Sequence, residues 1–429
     1  MYLFTFYPVG FDPPVRRPPL LTYALVAFMG VVFLAVRHAP GLLPGWPYAL
    51  VFYPGNGAPW SIVTAAFLHG DWLHYLGNMA YLLALGPLLE ERLGRVRFLL
   101  VFVGLGAGGN LLHGVATLAG WFGGAGLGVL GSSGAIAGML ALAAVRCPFA
   151  RVVVAYWVLA GPQGQSRAGR ARLGLPVASA GWLLLQVAHA LVAHETGDGV
   201  SYAAHLGGFL LGLAAAGTQG FAVAGRAESR LVRGRRYLEA GEGLAAAGAF
   251  REHLALAPES RPGWLQLARA LCMAGREAEA GAVYADVFRK DLDRGRLDLA
   301  TAVFDEARRG RAAADLHPDL LARGARCHDR QLDFAAALSA YQDLVNAHPD
   351  HPDRDHALVR IVTLLRGPLG EPAAAAAWAE RARSILPPGA WRDALDRFVP
   401  GGRSPAGLRR EPRARPPGSP AASPPEPAT

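Results

Sequence analysis

Residues 129–145 read VLGSSGAIAGMLALAAV, seventeen residues without a charge, and near the start two adjacent serines stand between glycines. A run of that length and composition is nearly long enough to cross a bilayer as a helix. A hydroxyl in such surroundings ordinarily has no nucleophilic work to do, because serine becomes a useful nucleophile only with a base in hydrogen-bond reach. Two other apolar stretches supply candidate bases: His74 in LHYLGN, residues 73–78, and His205 in AHLGG, residues 204–208.

Working outward, the 429-residue chain is 52% hydrophobic and 17% charged, with mean hydropathy +0.23, and its charge is unevenly spread. Residues 1–225 hold 11 Arg and 6 Asp or Glu, whereas the remainder holds 31 Lys or Arg and 27 Asp or Glu. That division reads as a membrane half joined to a soluble half. The net charge of +9 does not point to nucleic acid, since the arginines of the soluble half are interspersed with acids. Cys147, Cys272 and Cys327 are odd in number and lack metal-ligand spacing, so neither a disulfide framework nor a metal or other cofactor is expected.

Apolar segments lie at about Leu20–Val36, Trp72–Leu89, Phe98–Trp121, Val129–Val145, Leu173–Val192 and Val200–Val223, which predicts six transmembrane helices. The first follows Arg16 and Arg17 with no small-residue cleavage site after it, and reads as a retained span. Arginines between the spans alternate: Arg16 and Arg17, then Arg37, then Arg92, Arg95 and Arg97, then none, then a cluster from Arg146 to Arg172, then none, then a cluster from Arg226 to Arg236. By the positive-inside rule both termini are cytoplasmic. The competing run Arg151–Gly161 (RVVVAYWVLAG) is too short to span and reads as an interfacial or re-entrant piece.

Spans two, four and six then enter from the same, outer side. His74 and Asn78, Ser133, and His205 therefore share a depth, and the four-residue spacing of His74 and Asn78 sets both on one helix face. Gly134 with Gly138, and Gly208 with Gly212, form two G-x-x-x-G pairs that let spans four and six approach closely and bring Ser133 beside His205.

Around these residues, over positions 20–220, the chain resembles the rhomboid family of intramembrane serine proteases. The resemblance is carried by His74-x-x-x-Asn78, Gly131-Ser132-Ser133-Gly134, Ala204-His205-x-Gly207-Gly208 and Glu90-Glu91-Arg92-Leu93-Gly94. It implies that Ser133 is the nucleophile and His205 the general base, a dyad without a third carboxylate. It also implies an oxyanion hole formed by His74, Asn78 and the Ser133 backbone N–H, with His69, Gly131, Gly134 and Gly208 supporting the site. Such a hydrolase would cut the transmembrane segment of another membrane protein in the plasma or inner membrane, near its outer face. Ser133 at a helix N-terminus suits developing negative charge independently of the resemblance.

Two positions depart from the family pattern: Trp60-Ser61 stands where many relatives have Trp-Arg, and Ala137 stands where relatives often set an aromatic side chain against the catalytic histidine. Asn110, His113 and His189 read as interhelical hydrogen bonders, and Glu90 and Arg92 as a polar cluster at the cytoplasmic end of span two.

After Arg226 the pattern turns to Ala-rich helices. Trp264, Leu267, Ala268, Leu271, Ala280 and Tyr284, then Ala325, Ala337, Tyr341 and Pro349, and more weakly Ala246, Phe250 and Pro258, recur as in tetratricopeptide (TPR) helix pairs. The expected architecture is thus all-α: a six-span bundle over residues 1–225, a cytoplasmic TPR-like repeat domain over 226–397 that binds a protein partner, and a disordered Pro-rich tail over 398–429. Rival readings are a catalytically inactive rhomboid-like protein that binds membrane clients, opposed by the intact Ser133 and His205, and a small-molecule transporter, opposed by the scarcity of charges within the spans.

Overall fold

The computed structural model describes residues 3–12, 14–39, 41, 45, 47–121, 128–160, 165–196, 201–309 and 315–397. The Pro-rich tail over 398–429 lies outside the described residues. The chain divides into two compact units, Met1–Gly275 and Arg276–Thr429.

The first unit is built on α1 (Leu20–His38), the short α2 (Ser61–Thr64), α3 (Trp72–Leu93), α4 (Arg95–Leu118), α5 (Ser133–Arg146), α6 (Leu175–Thr196) and α7 (Tyr202–Thr218). It is completed by α8 (Phe221–Glu239), α9 (Gly243–Leu256) and α10 (Arg261–Met273). α5 is the central helix, with every residue from Gly134 to Ala143 buried. Around it Met79, Leu82, Leu85 and Leu89 of α3 and Phe98, Phe102 and Leu105 of α4 build one continuous core with Met29 of α1. The opposite faces are apolar and exposed: Phe28 and Val31 on α1, Leu100 and Val115 on α4, Leu184 and Leu191 on α6, Leu210 on α7. Apolar surface of that extent finds its partner in lipid.

By length and composition α1 and α4 can each cross a membrane, and α7 with α8 qualify together across a 74° bend. α5 and the segment Leu175–Leu191 of α6 are apolar but shorter. The expected spans fall on helices: α1 and α3 begin at the expected Leu20 and Trp72, the other four begin elsewhere, and the sixth runs across the break between α7 and α8. Val129 pairs with Phe52 in an isolated β-bridge, so the chain reaches the site extended and turns helical only at Ser133. α3 starts on Asp71, whose carboxylate accepts from the His74 N–H at 2.9 Å and caps the first turn.

The structure adds an antiparallel three-stranded sheet to the helical architecture: β1 (Leu3–Asp12), β2 (Arg151–Ala160) and β3 (Gln165–Gly174), in that spatial order. β2 is the run expected to be an interfacial or re-entrant piece. Its β-branched residues favour a strand; Val152 and Val154 are buried while Arg151 is exposed, the alternation of a sheet with one face on a core.

The second unit holds α11 (Glu277–Asp293), α12 (Leu297–Arg308), α13 (Pro318–Arg330), α14 (Phe334–Ala347), α15 (Arg354–Arg366), α16 (Pro372–Ile385) and the short α17 (Ala390–Asp396). Consecutive helices pack as hairpins, and the small and aromatic positions read as a repeat face inward: Ala280, Tyr284, Ala325, Ala337 and Tyr341 are buried. In the first unit Ala246, Phe250, Ala268 and Leu271 do the same between α9 and α10. Composition shifts near residue 225, whereas compactness shifts at Gly275.

Candidate active site

Gly131 opens the site. Its φ of +118° belongs to glycine, and a β-carbon there would stand 2.6 Å from His74 Nε2 and 3.8 Å from Asn78 Nδ2. The loop before α5 is thereby laid directly against the polar face of α3. Its N–H is held by the Ala65 carbonyl at 2.9 Å. Ser132 is fully buried and lies 3.3 Å from His69 Nε2. Ser133 begins α5, and the N–H groups of a first helical turn have no intrahelical acceptor.

Ser133 Oγ is 2.7 Å from His205 Nε2, which joins the heads of α5 and α7. Of the two serines, only Ser133 meets this imidazole; Ser132 serves His69. The Asn78 amide nitrogen is buried and has no hydrogen-bond partner, as has His69 Nδ1. Buried donors are almost always satisfied. The unpartnered Asn78 donor lies beside Gly131, which belongs to the loop that leads to Ser133. His69 packs edge-on against His74 with ring centroids 5.2 Å apart.

Gly134 and Gly208 meet at the α5–α7 contact, and Gly138 meets Gly212 one turn further on. Sequence reasoning missed three residues. Gln186 of α6 lies 2.7 Å from His205 Nδ1. Trp182, one turn before it, stands 6.1 Å from the His205 ring and stacks on Phe209 at 6.0 Å. Tyr202 faces the same imidazole edge-on at 6.1 Å. The aromatic wall expected from position 137 is therefore present, supplied from α6: Ala137, Ala141 and Phe209 form a cluster into which Trp182 packs. A lone glutamine within an apolar helix was the available signal for Gln186.

Asn110 and His113 hydrogen-bond to other segments, as expected of them, whereas His189 meets an aromatic ring. Asn110 donates to the Ile62 carbonyl at 2.9 Å, and His113 pairs with Thr117 at 3.2 Å and Ser201 at 2.8 Å. The ring of His189 stands 6.3 Å from that of Tyr202. The loop carrying Trp60-Ser61 is held by Trp60 Nε1–H on the Ala49 carbonyl at 3.1 Å and by Ser61 Oγ–H on Ala58 at 2.5 Å. At the far end of α3, Glu90 accepts from the N–H groups of Leu21 and Thr22 and so caps α1. Among the described residues no group of three or more His, Cys, Asp and Glu side chains converges as metal ligands would.

Residues 56–220 match the Rhomboid domain family. A protein of Bacillus subtilis (strain 168) named for the rhomboid proteases, YdcA, is 33% identical over 107 residues, 24% of this chain and 52% of that protein. RHOMBOID-like protein 5 of Arabidopsis thaliana is 35% identical over 57 residues, 13% of this chain and 18% of that one. The chain thus spans about half the length of the first relative, at 52%, and less of the second. Among solved structures, the kinesin light chain TPR-like repeats of Podospora anserina align at 18% identity with TM-score 0.20, over 41% of this chain and 83% of that chain.

Proposed function

We propose, for a chain whose residues 56–220 match the Rhomboid domain family, an intramembrane serine endopeptidase that cleaves transmembrane segments of other membrane proteins. The observation that carries this reading is the 2.7 Å contact between Ser133 Oγ and His205 Nε2 at the head of α5, beside a buried amide with no partner. An inactive relative that only binds clients has no use for either feature.

In the reaction Ser133 Oγ attacks the scissile carbonyl carbon while its proton passes to His205 Nε2. The carbonyl oxygen becomes an anion between Asn78, His74 and the Ser133 N–H, where the head of the α5 dipole adds to the stabilisation. His205 then gives the proton to the leaving amine. Water, deprotonated by the same imidazole, attacks the acyl-enzyme ester; the ester bond breaks, the acid is released and the imidazolium returns its proton to Ser133 Oγ. The substrate must unwind locally, since an intact helix occupies its carbonyls in hydrogen bonds.

In this reading residues 1–225 form six spans with both termini cytoplasmic in a plasma or inner membrane, and the site faces the outer leaflet. Residues 226–397 are a cytoplasmic TPR-like domain that presents an extended surface to a protein partner. The test is labelling of the purified protein with a serine-reactive fluorophosphonate, alongside cleavage of a single-span reporter. Wild type is expected to label and cut, and Ser133→Ala and His205→Ala to do neither. Equal cleavage by Ser133→Ala would move the nucleophile to another residue, Ser132 first, whereas a folded wild type that neither labels nor cuts would favour the inactive relative.

A further inference from the structure

Proteolysis as described uses one nitrogen of His205, and the other is also engaged. Trp182 and Gln186, four residues apart on α6, share a helix face and both reach His205. The Trp182 and His205 ring centroids are 6.1 Å apart, and Gln186 Oε1 stands 2.7 Å from Nδ1. A glutamine among Leu183, Leu184, Leu185 and Val187 sits in the apolar middle of its helix. Gln186 is half-buried, and the partner of its amide oxygen is the imidazole.

The carboxamide oxygen only accepts, so Nδ1 carries the proton that fills this bond. The Nε2 lone pair is then left facing the Ser133 hydroxyl at 2.7 Å. With the opposite tautomer Nε2 carries a proton and cannot take one from serine. The titratable groups facing the ring are Tyr202 from its own helix and His74 from α3.

We propose that Gln186 is a positioning residue for His205, holding the tautomer and ring orientation that make Nε2 a base, so that Ser133 and His205 operate with a neutral third member. This rests on the reading of Ser133 and His205 as nucleophile and base.

The experiment uses the full-length protein with two variants, Gln186→Met, which keeps the shape and removes the acceptor, and Gln186→Glu, which keeps an acceptor and adds charge. Reporter kcat and KM, the rate of fluorophosphonate labelling at Ser133, the pH profile of both rates and the thermal unfolding midpoint are recorded. Gln186→Met is expected to lower kcat and labelling rate together by about tenfold to a hundredfold, part of the roughly 10²–10⁴ that general-base catalysis supplies, with KM unchanged. Gln186→Glu is expected to recover turnover, with the acid limb of the profile moved to higher pH because a carboxylate favours the protonated ring, which is no base. Wild-type kcat and profile in both variants overturn the proposal, as does an equal loss in both with an unmoved acid limb. If Gln186→Met does not fold, an unmoved limb in Gln186→Glu is sufficient to overturn it. Failure of the underlying dyad reads differently: Ser133→Ala would then label and cleave as wild type does, whatever happens at position 186.

Discussion

Gly208 of α7 lies on the backbone carbonyl of Gly134 in α5, so close that a β-carbon at 208 would overlap the carbonyl oxygen. Gly212 meets the carbonyl of Gly138 in the same way. These two contacts set the separation of the helices, and the separation sets the 2.7 Å between Ser133 and His205. Gly208→Ala must push α7 outward at the turn next to His205, an overpacking of about 1–3 kcal/mol. The expected result is a lower unfolding midpoint and a loss of fluorophosphonate labelling at Ser133. Normal labelling with an unchanged midpoint would mean that the helices yield elsewhere and that this contact does not set the site.

Asn78 invites the opposite combination. Its buried amide nitrogen has no partner in the resting protein, so Asn78→Ala removes little that holds the fold together. Loss of one oxyanion donor lowers turnover by on the order of a hundredfold to a thousandfold. The expected variant therefore unfolds at the wild-type temperature, binds substrate with near-normal KM and turns over far more slowly. Steady-state kinetics with a melting curve checks this; raised KM with normal kcat would recast Asn78 as a residue that positions substrate.

Much of this was legible in the sequence because lipid simplifies the code. Uncharged runs marked the helices of the bundle, and polar residues inside them marked the neighbourhood of the site. The family resemblance together with the G-x-S-G spacing favours Ser133 over Ser132; in the structure the Ser133 hydroxyl meets His205 and that of Ser132 meets His69. β2 was not legible as a strand, since a short apolar run has no distinctive period and its partner β1 lies far away in the chain. Trp182 and Gln186 were hidden for another reason. Which face of α6 turns to α7 is fixed by packing between helices, and the i to i+4 spacing does not name a partner on another helix.

The turns of the repeat region carry a local strain that mutation can release. Gly241, Gly275, Gly295 and Gly370 occupy helix-to-helix turns with φ between 67° and 79°, and the corresponding turn between α13 and α14 has Leu332 at φ 65°. That side chain is 70% exposed and so gains little from packing. A left-handed conformation costs a non-glycine residue about 1–2 kcal/mol, partly offset by the greater unfolded-state freedom of glycine. Leu332→Gly should raise the unfolding midpoint of the isolated change against wild type in the same buffer. A lower midpoint would show that the leucine makes a stabilising contact in this turn.

His356 of α15 gives the repeat region a dependence on pH. It stands edge-on to Tyr341 at 5.7 Å and Trp391 at 5.6 Å, with Nδ1 unpartnered. Burial, with Arg326 adding to it, holds its pKa below the ordinary 6.5. The unfolded chain therefore binds the proton more readily than the folded one. Its contribution to stability is complete above about pH 6.5 and declines as the pH falls toward the folded-state value. Unfolding midpoints measured from about pH 7.5 down to about pH 5 should fall more steeply in wild type than in His356→Phe. Parallel curves would assign the acid sensitivity to other groups.

Where the membrane bundle can be cut away from the rest is decided at α8. Glu228 bridges Arg92 of α3 at 3.1 Å and Arg146 of α5 at 2.8 Å, Gly225 packs on the carbonyls of Val145 and Arg146, and Phe221 belongs to the bundle core. α8 is tied in turn to α9, where His253 Nδ1 meets the Ala227 carbonyl at 2.8 Å. A chain ending near Gly225, where the composition changes, would leave two partly buried arginines facing each other without their shared carboxylate. Breaking a buried pair by removing one partner costs on the order of 3–5 kcal/mol, with less for pairs that water reaches. A chain ending at Gly275 keeps the whole first unit. The two truncations and the full chain should be compared in detergent for melting and for cleavage of a reporter without cytoplasmic parts. The 1–275 chain is expected to melt and cleave as the full chain does, and to lose recruitment of native substrates that need the repeats. The 1–225 chain is expected to melt lower and to cleave poorly. Equal melting of the two truncations would remove Glu228 as a structural tie, and an inert but folded 1–275 chain would make the second unit part of the catalytic apparatus.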